Sequence, residues 1–310
     1  MTINDEQIVP GETKRLVVNI ARLPSHSSID VSITVSRAEK DGPVLLLSGG
    51  LHGDEINGTE IVRRIIDQEH HIPAVGTIIC IPIINVYGFI HFSRYVPDGK
   101  DVNRSFPGNK NGSLASRVAH FLTKEIIPQI DYGIDFHTGG ADRTNYPQVR
   151  AMMSDPDNKK MAEIFNAPFS LDSKYRPNSL RQTAGKMGKK IIVYEGGEAA
   201  RFDEYAIQTG IEGTLRVLNH LGMTTRSQKA DSDSIMIKGS SWVRARASGL
   251  FQTEVKSGQE VRKNAIVGHI TDPFGDFSVP LKAPASGYVI GLNNNPILHQ
   301  GDAVMHIGVV

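Results

Sequence analysis

One short segment of the chain carries a histidine and a carboxylate three residues apart. His52-Gly53-Asp54-Glu55 follows an apolar run that is typical of a strand, so this segment lies where a strand gives way to a helix. At such a junction, residues i and i+3 can converge on one point. An imidazole and a carboxylate are both suitable ligands for Zn²⁺. We therefore predict that His52 and Glu55 bind a metal ion.

A third ligand has to come from elsewhere in the chain, and His137 is the best candidate. It stands in Asp135-Phe136-His137-Thr138-Gly139-Gly140, at the end of a strand-like run. Ligand sites of open α/β sheets gather at the carboxyl ends of the strands. Two histidines and one glutamate leave a coordination position open, which suits a catalytic zinc better than a structural one. Such an ion lowers the pKa of water to about 7 and polarises a carbonyl group, so the ligand set predicts a hydrolase.

The elements that must position these ligands alternate between strand-like and helix-like patterns. The predicted strands are 43–48, 77–84, 130–136 and 190–194, and the predicted helices are 56–70, 114–127 and 202–221. Such alternation predicts an α/β domain with a mostly parallel sheet.

From about Ile235 the pattern changes to recurring glycines and alternating β-branched residues, which predicts a small all-β domain. This region contains an internal repeat: Ala247-Ser248-Gly249 recurs 38 residues later as Ala285-Ser286-Gly287, and His269-Ile270 recurs 37 residues later as His306-Ile307. The repeat predicts two similar halves of a β sandwich or barrel. We therefore predict a hydrolase domain over 1–225 and a β domain over 226–310, with the polar segment 224–234 as the linker.

The composition excludes several classes of function. Lys plus Arg is 34 and Asp plus Glu is 33 in 310 residues, so neither a nucleic-acid footprint nor a polybasic membrane signal is present. The one cysteine, Cys80, lies in an apolar run and is expected to be a buried, inert thiol. The N-terminal segment has no signal-peptide pattern, and no run reaches the ~20 apolar residues that span a bilayer. We expect a cytoplasmic protein with a small-molecule substrate and no nucleic-acid or membrane partner, and homo-oligomerisation stays open.

Four segments together resemble a known family. They are Gly49-Gly50-Leu51-His52-Gly53-Asp54-Glu55, Asp101-Val102-Asn103-Arg104-Ser105-Phe106-Pro107-Gly108, Asp135-Phe136-His137-Thr138-Gly139 and Tyr194-Glu195-Gly196-Gly197. In order and spacing, over roughly residues 40–220, the chain resembles the succinylglutamate desuccinylase/aspartoacylase family, the deacylase branch of the zinc carboxypeptidase superfamily. The resemblance implies a three-layer α/β/α fold with a mixed central sheet, and one zinc ion held by His52, Glu55 and His137.

The resemblance also implies roles for the second segment. Asn103 and Arg104 match the pair that grips the substrate carboxylate, a task that suits the planar guanidinium fork of arginine. Asp101 matches the acid that hydrogen-bonds a ligand histidine, which fixes the tautomer of that histidine and raises its basicity.

Two further residues are implied in the chemistry. Glu195 matches the general base that moves a proton from water to the leaving amine, and Glu198 is its rival three residues later. Arg94 stands near the place of an arginine that polarises the substrate carbonyl, and a surface salt bridge is the alternative for it. Arg150, Lys174, Arg176 and Arg181 are expected to form a solvated basic surface, although some of them could line the cleft and select the substrate.

The C-terminal region resembles the β domain of this family, whose halves are similar to lipoyl and biotinyl modules. It has no convincing modified-lysine hairpin, so we expect it to wall the cleft or to support oligomerisation. The remaining histidines are not expected to bind the metal. We expect His70 and His71 to be solvated, and His269 and His306 to be structural.

Three functions compete at this point. The leading one is zinc-dependent deacylation of a small N-acyl amino acid or related amide that bears a carboxylate. A metallocarboxypeptidase acting on short peptides would use the same zinc site and clamp. A metal-binding module that kept the fold without catalysis would be expected to lack a ligand or the base, and all of these residues are present.

Overall fold

A computed structural model describes residues 1–226, 228–230 and 232–310. Ser227 and Asp231, which fall in the predicted linker, lie outside the described residues. The strands are β1 Thr2–Ile3, β2 Glu6–Gln7, β3 Thr13–Arg22, β4 Ser28–Arg37, β5 Val44–Ser48, β6 Thr77–Ile81, β7 Tyr132–Gly139, β8 Arg143–Ala151, β9 Phe169–Asp172, β10 Lys190–Glu198, β11 Ile235–Ile237, β12 Gly239–Arg244, β13 Gly249–Thr253, β14 Glu260–Val261, β15 Ile266–Thr271, β16 Ser278–Lys282, β17 Gly287–Asn293, β18 Ile297–Leu298 and β19 Ala303–Val309. The helices are α1 Ile56–Asp67, α2 Val86–Ile90, α3 Leu114–Phe121, α4 Pro156–Phe165, α5 Leu180–Lys186 and α6 Glu204–His220.

Every predicted strand and helix is confirmed, with shifted ends. The strand predicted to stop at residue 136 runs to Gly139, so His137 lies inside β7 and not after it. It continues because β10 also runs on to Glu198 and gives His137 and Gly139 partners in the parallel ladder. The predicted helix 114–127 is regular only to Phe121 and continues as a π-helical turn to Ile126.

The central sheet is mixed, with strand order β12-β19-β17-β8-β10-β7-β5-β6-β4-β3 in the described part of the chain. Only the pairs β6–β5, β5–β7 and β7–β10 along this order are parallel. The prediction of a mostly parallel sheet is therefore wrong outside its centre. The long hairpin β3–β4 and the strand β8 add antiparallel pairs on both sides, and the alternation of the predicted elements contained no sign of them.

Apolar side chains cover both faces of this sheet because alternate residues of each strand point to opposite sides. In β5, Leu46 joins the core that contains the residues of α3 and α5, whereas Leu45 and Leu47 join the core that contains those of α1, α4 and α6. Helices thus lie on both faces of the sheet. Among the described residues, no helix is long and apolar enough to cross a membrane.

The C-terminal region is all-β, as predicted, and its internal repeat is visible in the strand pairing. One four-stranded set has the order β12-β19-β17-β14, and the other has the matching order β16-β15-β13-β18. The two sets enclose a core of their own. The first set also extends the central sheet, because β17 pairs with β8. A domain boundary near 225 and a likeness to lipoyl modules stay predictions.

Two smaller predictions have different outcomes. Cys80 is fully buried, and burial raises the pKa of its thiol, which agrees with an inert role. The prediction that His71 is solvated is wrong, because this residue is only 6% exposed. The chain after α1 is packed and not free in solvent, because the Ala74 amide donates to the Met223 carbonyl in the segment that follows α6.

Candidate active site

His52 and Glu55 lie in the tight connection between β5 and α1. A Cβ atom on Gly53 would stand 1.9 Å from the backbone of Gly88, and one on Gly49 would stand 2.6 Å from the backbone of Gly58. The glycines of the motif therefore allow the connection to pack against α2 and α1. Both His52 and Glu55 are buried in this position.

The Glu55 carboxylate lies between the two histidines. Its Oε1 is 2.8 Å from Nδ1 of His52, and its Oε2 is 2.7 Å from Nδ1 of His137. The backbone amide of Thr138 also donates to Oε2 at 3.2 Å. One potential ligand atom from each of the three side chains lies within 4.8 Å of the other two, which is a grouping that could hold a metal ion.

Each histidine has a second carboxylate on its other ring nitrogen. Nε2 of His52 is 3.3 Å from Asp101, and Nε2 of His137 is 2.8 Å from Asp135, which also accepts a hydrogen bond from Ser48. An ionised carboxylate only accepts hydrogen bonds, so both Nε2 atoms carry the proton. When the imidazoles are neutral, their Nδ1 lone pairs face the Glu55 oxygens, and a cation bound between these acceptors would satisfy them.

The charges of this cluster fit a divalent ion. Glu55, Asp101 and Asp135 contribute three negative charges and Arg94 one positive charge, so neutral histidines leave a net charge of −2. Without an ion, burial lowers the pKa of His137, but Asp135 and Glu55 raise it well above its ordinary value. Burial likewise raises the pKa of Glu55, but the two histidines lower it well below its ordinary value. The cluster thus attracts positive charge, and its ligand types suit Zn²⁺.

Arg94 lies beside these ligand atoms and not in a surface salt bridge. Its Nη1 is 3.1 Å from Oε1 of Glu55 and 3.1 Å from Nδ1 of His52. Nε and Nη2 both donate to Asp101, at 3.1 and 2.9 Å. A fixed cation at this place is well located to stabilise negative charge that develops next to the metal site.

Asn103 and Arg104 follow Asp101 in a short 3₁₀ turn. The Asp101 carboxylate accepts a hydrogen bond from the backbone N–H of Asn103 at 2.7 Å. The side-chain oxygen of Asn103 accepts one from the backbone N–H of Leu180 at 3.0 Å. Arg104 is exposed and makes a hydrogen bond to the Asn103 carbonyl at 2.6 Å. Both residues line the same cavity as the metal cluster. There the side-chain amino group of Asn103 and the guanidinium of Arg104 can donate hydrogen bonds to an anionic ligand.

Glu195 faces the metal cluster and Glu198 does not. Glu195 pairs with His137 across β10 and β7, lines the cavity and is only 15% exposed at its side chain. It accepts a hydrogen bond from Asn145 at 2.6 Å and pairs with Arg150 at 3.2 Å. Glu198 is absent from the residues that line the cavity in the described chain, and its nearest cation is Arg201 at 3.8 Å.

The cavity has a volume of about 480 Å³. Among the described residues, its lining includes six arginines, namely Arg94, Arg104, Arg143, Arg150, Arg176 and Arg181. The carboxylates that line it are Glu55, Asp135 and Glu195. Positive charge therefore exceeds negative charge, which favours an anionic ligand.

The C-terminal region supplies one wall of this cavity through Trp242. The indole of Trp242 stacks on the His306 ring, with centroids 4.3 Å apart, and the Arg143 guanidinium lies 5.6 Å from the indole centroid. The prediction that this region walls the cleft is therefore supported by one residue, Trp242.

Several lining residues carry no signal in the sequence. Asp135 is an exception, because its i, i+2 spacing from His137 in a strand puts both residues on one face and could have assigned it. Arg181 was expected on a solvated surface but is only 7% exposed. Its guanidinium donates to the backbone carbonyls of Arg150, Ser173 and Lys174, and burial lowers its pKa to about 10. Trp242 reaches the cavity only through the pairing of distant strands, because β12 joins the central sheet through β19 and β17.

Comparisons with known proteins agree with this geometry. Residues 41–221 match the family described as the succinylglutamate desuccinylase/aspartoacylase catalytic domain. An N-alpha-acetyl-L-2,4-diaminobutyric acid deacetylase from Halomonas elongata is 26% identical over 301 residues, which cover 91% of this chain and 86% of the relative.

Two solved structures are similar over almost the whole chain. The product-bound ectoine utilization protein EutE (DoeB) from Ruegeria pomeroyi is 24% identical, with a TM-score of 0.86 and coverage of 97% of both chains. A succinylglutamate desuccinylase/aspartoacylase from Rhodobacter sphaeroides is 25% identical, with a TM-score of 0.85 and coverage of 99% of this chain and 98% of its own. The likeness includes the C-terminal region, which lies beyond the matched catalytic segment.

Proposed function

The chain belongs to the succinylglutamate desuccinylase/aspartoacylase family, and from this premise we propose that it is a zinc-dependent deacylase of a small N-acyl amino acid. The observation that carries the proposal is the buried cluster of His52, Glu55 and His137, which faces Glu195 across one cavity. Together with Asp101, Asp135 and Arg94 the cluster carries a net charge of −2, and its three ligands leave a coordination position open, which supports a catalytic divalent ion. A zinc ion held there would activate water and polarise the scissile carbonyl.

The carboxylate of the substrate would be held by Asn103 and Arg104. Arg104 is exposed in the cavity and no carboxylate is paired with it among the described residues, so its fork is available to an anionic ligand. Asn103 is held by the Leu180 amide through its oxygen, which leaves its amino group free to donate. Binding at this clamp would fix the position of the amide bond relative to the metal cluster.

Two charged side chains would act on the reacting atoms. Arg94 is anchored by two hydrogen bonds to Asp101, and from there its guanidinium would stabilise the oxyanion that forms from the carbonyl. Glu195 would take a proton from the attacking water and deliver it to the departing nitrogen. Its position beside His137 in the sheet supports this assignment over Glu198.

The walls of the cavity favour a small substrate over a long peptide. Trp242 and Arg143 border it on the side of the C-terminal strands, while Arg104 and Arg176 border it elsewhere. The relative from Halomonas elongata is a deacetylase of N-alpha-acetyl-L-2,4-diaminobutyric acid, so acetyl is the first acyl group to test.

The test combines metal analysis with an assay of amine release. Purified protein is analysed for zinc, and release of primary amine is followed with a panel of N-acetyl and N-succinyl amino acids and with short peptides. About one zinc per chain, and amine release from acyl amino acids that stops on chelation and returns with zinc, would support the proposal. Release from peptides alone would favour a carboxypeptidase, and no turnover with zinc restored would favour a binding module.

A further inference from the structure

Glu195 is held by two donors that come from the same neighbouring strand, β8. Nδ2 of Asn145 donates to Oε2 of Glu195 at 2.6 Å, and Nη1 of Arg150 lies 3.2 Å from Oε1. The Asn145 contact is the shorter one and joins residues 50 positions apart in the chain. Each carboxylate oxygen has two acceptor sites, so both contacts leave room for a proton on Glu195.

A bulge in β8 brings Asn145 to this position. Glu195 pairs with Gln148, and Gly197 pairs with Asn145, so β10 advances two residues while β8 advances three. An extra residue reverses the alternation of side chains beyond it. In a regular ladder Tyr146 would stand opposite Gly197, and Asn145 would point to the other face. Pro147, which lies in the bulge, lacks the amide proton of a regular ladder.

The C-terminal strand β17 supports Asn145 from its other side. Gly291 of β17 pairs with Asn145. A Cβ atom on Gly291 would stand 3.0 Å from Oδ1 of Asn145 and 3.4 Å from Cβ of His306. Asn145 is thus flanked by glycines on both neighbouring strands, Gly197 on β10 and Gly291 on β17. No side chain from either paired position competes for the space that the amide occupies.

From this geometry we propose that Asn145 is a positioning residue, which orients the Glu195 carboxylate toward the metal cluster. This inference rests on the proposed role of Glu195 as the base. The Asn145 amide, which donates to Oε2, fixes the rotation of the carboxylate. The other oxygen, Oε1, is paired with Arg150. Because proton transfer depends on geometry at the level of about 1 Å, loss of this donor slows the reaction without weakening the binding of substrate or zinc.

The primary test compares Asn145→Ala with the unaltered protein, using the acyl amino acid that the amine-release panel identifies. We expect kcat to fall by about 10- to 100-fold, a part of the 10²- to 10⁴-fold that a general base contributes. KM should stay within about twofold, and zinc content and melting temperature should stay close to those of the unaltered protein. A rise in KM with unchanged kcat would overturn the proposal, because it would make Asn145 a substrate contact.

A double-mutant cycle asks whether Asn145 acts through Glu195. If it does, Asn145→Ala should cost almost nothing further in a chain that already carries Glu195→Gln, because the effects of residues that act as a unit are not additive. If the loss of kcat in the double variant equals the product of the losses in the two single variants, Asn145 acts independently of Glu195 and the proposal is overturned. High activity of Glu195→Gln alone would instead sink the base assignment, whereas an inactive Glu195→Gln beside a fully active Asn145→Ala would sink only the positioning role.

Gly291→Ala tests the same link from the C-terminal strand. Its new methyl group would press on Oδ1 of Asn145, and we expect a loss of kcat of about threefold to tenfold with KM retained. Gly308→Ala is the matched control, because its Cβ would also meet neighbours at 3.0 Å, but those neighbours are Ile237 and Ile290. Equal losses of kcat in the two variants would show a general strain of the strands and would contradict the link.

Discussion

The two sides of the cavity are built in different ways. On the metal side, His52 and Glu55 are three residues apart, and Asp135 and His137 are two residues apart. On the base side, Asn145 and Glu195 are 50 residues apart, and Trp242 meets His306 from another strand. The histidine–carboxylate pairs of the metal side are encoded in short segments, although Glu55 and His137 themselves are 82 positions apart. The base side depends wholly on which strands pair and in which register.

The two sides also differ in how completely their polar groups are paired. The Nδ1 and Nε2 atoms of both ligand histidines have partners before any ion is considered. On the base side, Nε of Arg143 and Nε of Arg150 are buried and make no hydrogen bond among the described residues. Buried polar groups are normally satisfied. The two sides thus differ in the pairing of their nitrogens, although Oδ1 of Asp54, in the metal motif, is also buried without a hydrogen bond among the described residues.

The largest expected effect is on the metal side. His137→Ala removes one of three ligands and leaves the Asp135 carboxylate buried without its partner. We expect zinc to fall well below one per chain and turnover to fall by more than about 10³-fold, because the metal supplies several kcal/mol of stabilisation to the reaction. Metal analysis after gel filtration, together with the amine-release assay, measures both. Full zinc content in this variant would contradict the ligand assignment.

The carboxylates behind the histidines should matter less than the ligands themselves. Asp135→Asn keeps the shape of the side chain but weakens its hold on Nε2 of His137, and we expect zinc affinity to fall by about 10- to 100-fold. Asp101→Asn is the matched comparison, and we expect a smaller loss because its contact with His52 is longer, at 3.3 Å. Competition with a fluorescent chelator measures the zinc affinity of both variants. If both bind zinc as tightly as the unaltered protein, these carboxylates do not support the ligand histidines.

A moderate effect is expected from the aromatic wall. Trp242 is the one tryptophan of the chain, so its fluorescence reports directly on occupancy of the cavity. Titration with a substrate that bears a carboxylate should change this emission. Trp242→Ala should raise KM by roughly fivefold, which corresponds to about 1 kcal/mol of lost aromatic contact. A substrate that leaves both the emission and the KM of the variant unchanged would place the ligand elsewhere in the cavity.

The effect most remote from catalysis concerns stability and pH. Burial first, and then Arg150, lower the pKa of His306 to about 4, from an ordinary value near 6.5. The unfolded chain therefore binds this proton more readily than the folded chain between these values, and the free energy of unfolding declines as pH falls through this window. At pH 5 the decline amounts to at most about 2 kcal/mol. Urea unfolding at pH 7 and pH 5 should show a weaker pH dependence in His306→Gln, and an unchanged dependence would contradict this interpretation.

The contrast between the two sides also explains what the sequence could predict. The ligand set and the strands that hold it follow from motifs in which chemistry and local structure coincide. The hairpin β3–β4 and the strand β8 went unpredicted, and with them the antiparallel half of the sheet. Asn145 could not be assigned, because its position depends on a bulge that shifts the register by one residue. A proline between Tyr146 and Gln148 is the one local sign of this bulge.

The internal repeat of the C-terminal region was predictable, but its connection to the site was not. Matching Ala-Ser-Gly segments predicted two similar halves, and the two strand sets have the same order. That β17 would pair with β8, and so place Trp242 and Gly291 beside the cavity, depends on contacts between residues about 150 positions apart. Side-chain patterns within a segment do not record such distant pairing.

We propose above that Glu195 is the base of a zinc-dependent deacylase. It is tested most directly by the turnover and zinc content of Glu195→Gln beside Glu198→Gln, two identical changes three residues apart on β10. We predict that Glu195→Gln loses at least about 10²-fold in kcat while it keeps about one zinc per chain, and that Glu198→Gln stays within about threefold of the unaltered protein. Retained turnover in Glu195→Gln, or loss confined to Glu198→Gln, would contradict the claim.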